Sequence, residues 1–158
     1  MESWYHQHGA ALLLFGIALI GDRGRAQDAV HQIFLKLLEH SDLGQIAAVR
    51  TYLFSALRNT IMSDVRRRGR DVTLELDDNS WFESPNRDYL EELRVRRALA
   101  SLPEDQREVT VLHIWGGLTF AEAAEVLGIN AHTAAARYRY ALDKLRDTLS
   151  ETKGGSRQ

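Results

Sequence analysis

The stretch Thr119–Arg139, TFAEAAEVLGINAHTAAARYR, decides how the rest of the chain is read. Its opening Thr119-Phe120-Ala121-Glu122 has the form of a capping box, in which a hydroxyl and a carboxylate satisfy free N–H groups at a helix start. A short helix then runs to Leu127, with the small Ala124 leaving room for a neighbouring helix. Gly128 follows where a tight turn needs a positive φ. Asn130 is placed to cap a second helix, from about Ala131 to Leu149. The spacing is that of a helix-turn-helix. The second helix presents His132, Thr133, Arg137 and Arg139 to a DNA groove. Arginine matches guanine edges bidentately, and arginine or threonine can hold phosphates. Taken alone, the pattern also fits a helical hairpin with a surface row of arginines.

A chain of 158 residues makes one domain or two small ones. Apolar residues are 44% and charged residues 27%, which excludes disordered, collagen-like and membrane-embedded classes. Without cysteine there is no disulfide framework, thiolate metal site or cysteine nucleophile, and a reducing cytoplasm fits that lack. Among the six histidines only His6-Gln7-His8 forms a close pair, with no third ligand at helical spacing. Asp77-Asp78 lacks the spacing of a calcium loop. The expectation is therefore a binding protein with no catalytic residue, metal, cofactor or small-molecule substrate. The apolar run Gly9–Gly21 is shorter than the roughly 20 residues of a membrane helix. It also lacks the basic residues that precede the core of an export signal. It reads as a buried helix of a cytoplasmic protein, with no membrane insertion.

The net charge of −2 hides a segregation. Residues 1–70 hold nine basic and six acidic side chains, residues 71–92 one basic and eight acidic, and residues 93–158 ten basic and eight acidic. Two mildly basic blocks thus flank a strongly acidic strip.

Outside the opening stretch, helical periodicity dominates, and two prolines in the whole chain suit long helices. Trp4–Ile20 is apolar nearly all round, as in a central bundle helix. Gly21-Asp22 breaks it. A second helix from about Arg25 carries Val30, Ile33, Phe34, Leu37 and Leu38 as one apolar stripe. Ser41–Gln45 reads as a loop. A third helix from about Ala47 stacks Leu53, Leu57, Ile61 and Val65, then ends in Arg66-Arg67-Arg68-Gly69-Arg70. Residues 71–87 lack periodicity and read as a linker, with Trp81 and Phe82 as candidate anchors. Helix resumes near Arg87, with Leu90, Leu93, Val95 and Leu99. Ser101-Leu102-Pro103-Glu104 has the form of a capping box, and the helix after it carries Val109, Leu112 and Ile114 up to Gly116-Gly117. The fold class is all-α. It comprises an N-terminal helical bundle over 1–70, an acidic linker over 71–88, a helix-turn-helix domain over 89–150 and a flexible tail over 151–158.

Leu102-Pro103, Gln106–Val109 and Gly117–Ala124 resemble the C-terminal domain of bacterial RNA polymerase sigma factors of the extracytoplasmic-function group. Independently, Gly21-Asp22 with Ala26–Phe34 is similar to the second region of that group. Arg50–Phe54, Arg58-Asn59 and Asp64–Arg68 resemble its melting and promoter-reading helix. The two matches come in the family's order and together cover about residues 4–149.

The resemblance implies a sigma factor that binds core RNA polymerase, through the largest-subunit coiled coil and the flap, and directs it to promoter DNA. It implies that Asp28, His31 and Gln32 face the polymerase. Arg50, Tyr52, Arg58, Asn59, Arg66, Arg67 and Arg68 would serve melting and the downstream element, Tyr52 by stacking on unpaired bases. Asn59 and Asp64 are carried over as residues that fix strand or partner geometry. The acidic strip resembles the connector that threads the polymerase cleft. No sensory domain is visible, so control by another protein, such as an anti-sigma protein, is implied. The chain departs from the family at His31 (usually Gln), Tyr52 (often Trp), Ala134 (usually Val) and Ala135-Ala136 (often Lys-Ser). A rival reading is a helix-turn-helix regulator that is not a sigma subunit, but it leaves residues 22–38 unexplained.

Overall fold

In the computed structural model every described element is helical. It describes residues 2–39, 49–68 and 89–155, and within them the side chains of 7–39, 49–68 and 94–150. The expected loop at 41–45, the linker with Trp81 and Phe82, Arg70 and the last residues 156–158 lie outside the described residues.

Helix α1 (Glu2–Ile20) packs on α2 (Arg23–Leu38) and α3 (Val49–Arg68). Leu12, Leu14, Phe15 and Ile17 through Ile20 are all buried, which is why this sequence carries apolar residues on every side. Asp22 caps α2, its carboxylate accepting the Arg25 N–H at 3.1 Å. Val30, Ile33, Phe34 and Leu37 turn inward from α2 as expected, but Leu38 is exposed. The stripe already continues through Leu37, and one residue further rotates the side chain about 100° away from it.

The second group comprises α4 (Tyr89–Ser101), α5 (Glu104–Thr110), α6 (Phe120–Leu127) and α7 (Ala131–Gly155). The expected capping box at Ser101 does not form. The Ser101 hydroxyl donates to the Ala98 carbonyl at 2.7 Å, and Pro103 occupies the cap position without a side-chain bond. Between α5 and α6 the chain makes a π-helical turn, Val111–Trp115, in which the Gly116 N–H reaches back to the Val111 carbonyl at 3.0 Å. The wider turn shifts the side-chain register. His113 faces inward, its ring stacked on Phe120 at 4.4 Å and edge-on to Tyr138 at 4.6 Å. Its Nδ1 donates to the Leu118 carbonyl at 2.8 Å, since a carbonyl can only accept. Ile114, expected in the core, is exposed instead. The capping box at Thr119 forms as read, with Glu122 and Thr119 exchanging bonds of 2.8 and 3.1 Å. Gly128 adopts φ +71°, and Asn130 accepts the Thr133 N–H at 2.8 Å. The last helix continues to Gly155, beyond Leu149 where the sequence places its end.

The two groups are not separate bodies. Helix α3 packs on α6, and α1 on α5 and the π-turn, so the buried apolar residues form one contiguous cluster. Phe54 lies in this seam. It meets Phe15 edge-to-face at 5.6 Å and comes close to Gly116 of the second group. Truncating it to alanine should cost about 3–5 kcal/mol. Because the core is shared, chemical denaturation of Phe54→Ala should still show one transition at a lower midpoint. Two separated transitions, one at the wild-type midpoint, would contradict the shared core.

Candidate nucleic-acid interface

Three exposed faces carry the residues that the sequence singles out. On α2, Asp28, His31 and Gln32 are all exposed, and Leu35 continues the same face one turn on. Leu35 lies outside the core stripe of Val30, Ile33, Phe34 and Leu37, and the sequence pattern does not single it out. On α3, Tyr52 is exposed at 41%, so it is not a core aromatic. Asn59 and Arg66, Arg67 and Arg68 are exposed further along the same helix. On α7, His132 and Arg139 are exposed, while Thr133 is half-buried with its N–H capped by Asn130. Ala134 is fully buried beneath the turn, as its small volume requires. Tyr138, which flanks Arg139 in sequence, packs inward on His113 and Phe120, leaving Tyr140 as the exposed aromatic.

Three of the assigned arginines point instead at the chain's own polar groups. Arg50 donates from Nη1 to the Gly117 carbonyl at 3.0 Å, across the seam between the two groups. Gly117 has φ +70°, and a Cβ there would lie 2.7 Å from that same nitrogen. Only glycine lets the guanidinium approach so closely. Arg58 lies 3.8 Å from the buried carboxylate of Glu108 on α5. Arg137 lies 3.5 Å from Asp105 in the first turn of α5. Next to Arg50, the Thr51 hydroxyl donates to Glu122 at 3.4 Å, so the capping-box glutamate also bridges the seam. Arg107 fastens the groups from the other side, donating to the carbonyls of Leu99, Ala100, Leu102 and Ala18 at 2.8–3.2 Å. Glu108 and Arg107 carry no sign of these roles in the sequence, and the capping box at Glu122 does not reveal that its carboxylate also crosses the seam.

Among the described residues no group of His, Cys, Asp or Glu could hold a metal ion, and no helix is long and apolar enough to cross a membrane. The described polar groups converge on exposed cationic and aromatic surfaces, which suit phosphate and base binding.

Comparison with known proteins agrees in both halves. Residues 4–71 match the family Sigma-70 region 2, and residues 92–145 match Sigma-70, region 4. The ECF RNA polymerase sigma factor SigL of Mycobacterium tuberculosis is 32% identical over 158 aligned positions, covering 96% of this chain and 89% of that protein. The ECF RNA polymerase sigma factor EcfG of Rhodopseudomonas palustris is 35% identical over 141 positions, covering 85% and 77%. In fold, the chain resembles the sigma factor RpoE solved with the anti-sigma factor NepR from Bartonella quintana, with TM-score 0.67, 22% identity and coverage of 95% and 98%. It also resembles CnrH solved with the cytosolic domain of CnrY, with TM-score 0.63, 25% identity and coverage of 95% and 87%. These matches place the molecule among transcription initiation factors. The chain belongs to the ECF group of the sigma-70 family.

The Glu122 carboxyl is held below its usual 4.5, first by the Thr119 backbone N–H, with Arg50 and Thr51 adding to it against the effect of burial. A carboxyl depressed in the folded state stabilises fully above its unfolded value, and that support is lost as pH falls through the folded value. Thermal unfolding between about pH 6.5 and about pH 3 should therefore show wild type losing more Tm than Glu122→Gln. Parallel curves for the two proteins would remove Glu122 from the cap and the seam.

Proposed function

We propose that this chain acts as a promoter-specific initiation factor, docking core RNA polymerase through α2 and reading promoter DNA through α3 and α7. The observation that carries this reading is the pair of region matches in one chain, in the family's order. On α2, Asp28, His31 and Gln32 form the docking face, and Leu35 extends it. On α3, Tyr52 and Asn59 capture the displaced strand while Arg66, Arg67 and Arg68 follow its phosphates. On α7, His132, Thr133 and Arg139 reach the upstream element. Residues 1–70 act as the polymerase-docking and melting unit, 71–88 as connector and 89–150 as the upstream reader. The protein works in the cytoplasm and performs no catalysis of its own.

Arg50 and Arg58 join these surfaces only after they leave Gly117 and Glu108 of the second group, whereas Arg137 has only to leave Asp105 within its own group. The compact molecule is therefore a resting form, and polymerase and promoter engage an opened one. The solved complexes of RpoE with NepR and of CnrH with CnrY make an anti-sigma protein a natural controller of that opening. A helix-turn-helix regulator without sigma activity is disfavoured by the region 2 match over residues 4–71.

Gel filtration with bacterial core RNA polymerase at moderate salt tests the reading. Wild type should co-elute, and Asp28→Arg should weaken association about tenfold through lost charge complementarity. Equal association of both proteins would take Asp28 out of the interface. No co-elution by wild type, even with the Arg50 and Arg58 contacts to the second group removed by substitution, would overturn the sigma assignment.

On promoter fragments recovered by the wild-type holoenzyme, Arg139→Ala should weaken binding by about 1–3 kcal/mol at a single base position. A uniform loss across sequences, with a shallower salt dependence, would make Arg139 a phosphate contact instead.

A further inference from the structure

The α2 and α3 helices are joined by an ion-pair cluster centred on Arg25 and Asp64, two residues that the function proposed above does not use. Arg25 stands in the first turn of α2, its backbone fixed by the Asp22 cap. Its Nε and Nη2 both donate to Oδ2 of Asp64, at 3.2 and 2.8 Å. The other oxygen of Asp64 faces Arg68 Nε at 3.3 Å and Arg67 Nη2 at 3.7 Å. The Arg25 and Asp64 side chains are 13% and 18% exposed, whereas Arg67 and Arg68 are 74% and 60% exposed. One nearly buried carboxylate is thus divided between two helices. Its inner oxygen holds the docking helix, and its outer oxygen faces the arginines that follow the promoter.

We infer that the Arg25–Asp64 pair is a positioning element through which the polymerase-docking helix sets the orientation of the promoter-reading end of α3. The inference rests on the assignment of Arg67 and Arg68 to promoter DNA and deepens it. Three observations support it. First, a plain structural staple needs only the inner oxygen, yet the outer one lies within ion-pair range of two exposed arginines. Those outer pairs are too solvated to matter much for stability, so their effect is on where the guanidiniums point. Second, Asp64 stays ionised well below its usual 3.8, first through the Arg25 bond and then through the charges of Arg25, Arg68 and Arg67, so its charge is constant at any working pH. Third, an open groove of about 370 Å³ runs along α2 and α3, and its walls carry Asp28 and Gln32 on one side and Asn59, Arg67 and Arg68 on the other. Docking and promoter surfaces therefore share a groove, and the pair spans it. A shift of the first turn of α2 on docking moves the partner of Oδ2 and re-aims Oδ1.

Asp64→Asn keeps shape and removes charge. It releases Arg67 and Arg68 from a fixed anion while adding positive charge at the DNA face. Two readings of the full-length holoenzyme should then move in opposite directions. Binding to unrelated duplex DNA should tighten severalfold, as expected for a more cationic surface. Promoter opening, followed by permanganate reactivity on a fragment selected by wild type, should fall about tenfold, a size usual for members of one ion-pair network. Arg25→Gln should lower opening to a similar degree, and the double variant no further than either single one. A purely structural role would lower both readings together with Tm, and that result would overturn the inference, as would unchanged opening in both single variants. Arg67→Ala with Arg68→Ala serves as the control on the underlying assignment. If that variant opens promoters normally, the assignment of α3 fails. If it is impaired while Asp64→Asn and Arg25→Gln are not, only the positioning role fails.

Discussion

Helix α3 has to serve two cores at once, and most of the structure follows from that constraint. Its inward residues Leu53, Phe54, Leu57 and Ile61 are completely buried, part of the one cluster that runs from α1 to α7. Each contributes on the order of 1.5–3 kcal/mol through removal from water. The polar contacts beside them are of another kind. The Arg50 bond to Gly117 is exposed, and the Arg58–Glu108 pair is long, so water and salt weaken both. Apolar burial therefore supplies the adhesion between the two groups, while the polar contacts fix their register. A partner that covers the apolar seam, or salt that screens the arginines, acts on different parts of the same closure.

The charge distribution gains a meaning that the net value of −2 conceals. Glu108, Asp105, Asp64 and Glu122 each sit beside an arginine or on the path between an arginine and the other group. Glu108 and the Gly117 carbonyl, across the seam, and Asp105 and Asp64, within their own groups, face guanidiniums that the proposed function assigns to nucleic acid. Phosphates would compete for the same cations, so on that reading DNA binding opposes closure at Arg50 and Arg58, whose contacts cross the seam. Of the described arginines in that assignment, Arg66 and Arg139 are exposed and stand outside these pairs.

Elements whose signals are local were legible in the sequence. The Thr119 capping box, the positive φ of Gly128 and the Asn130 cap are each fixed by residues within a single turn, and all formed as read. The burial of α1 from Leu12 to Ile20 on nearly every side followed from its composition. What escaped depended on distance or on hydrogen-bond register. The π-turn is a one-residue change in register that no residue type dictates, and it turned Ile114 outward and His113 inward. The Ser101 box failed because its hydroxyl found the nearer Ala98 carbonyl. Arg25 and Asp64 are 39 positions apart, and Thr51 and Glu122 are 71 apart. Periodicity places each of them on a helix surface but cannot say which surface of another helix lies opposite.

Arg107 shows how little chemistry is needed to hold such long-range choices in place. Its guanidinium binds carbonyls at the end of α4, those of Leu99 and Ala100, together with that of Leu102 beyond it and of Ala18 in the last turn of α1. Helix C-termini carry unpaired acceptors and the negative end of the macrodipole, so a cation suits two of them brought together. None of these acceptors is a side chain, so changing the residues around the clamp leaves its bonds unaltered. The clamp responds only to backbone position, and it is satisfied when the ends of α1 and α4 meet. If the groups part, Arg107 loses one carbonyl out of four, and α4 and α5 keep theirs. The second group can thus leave the first with its own helix junction intact, as the proposed opening requires.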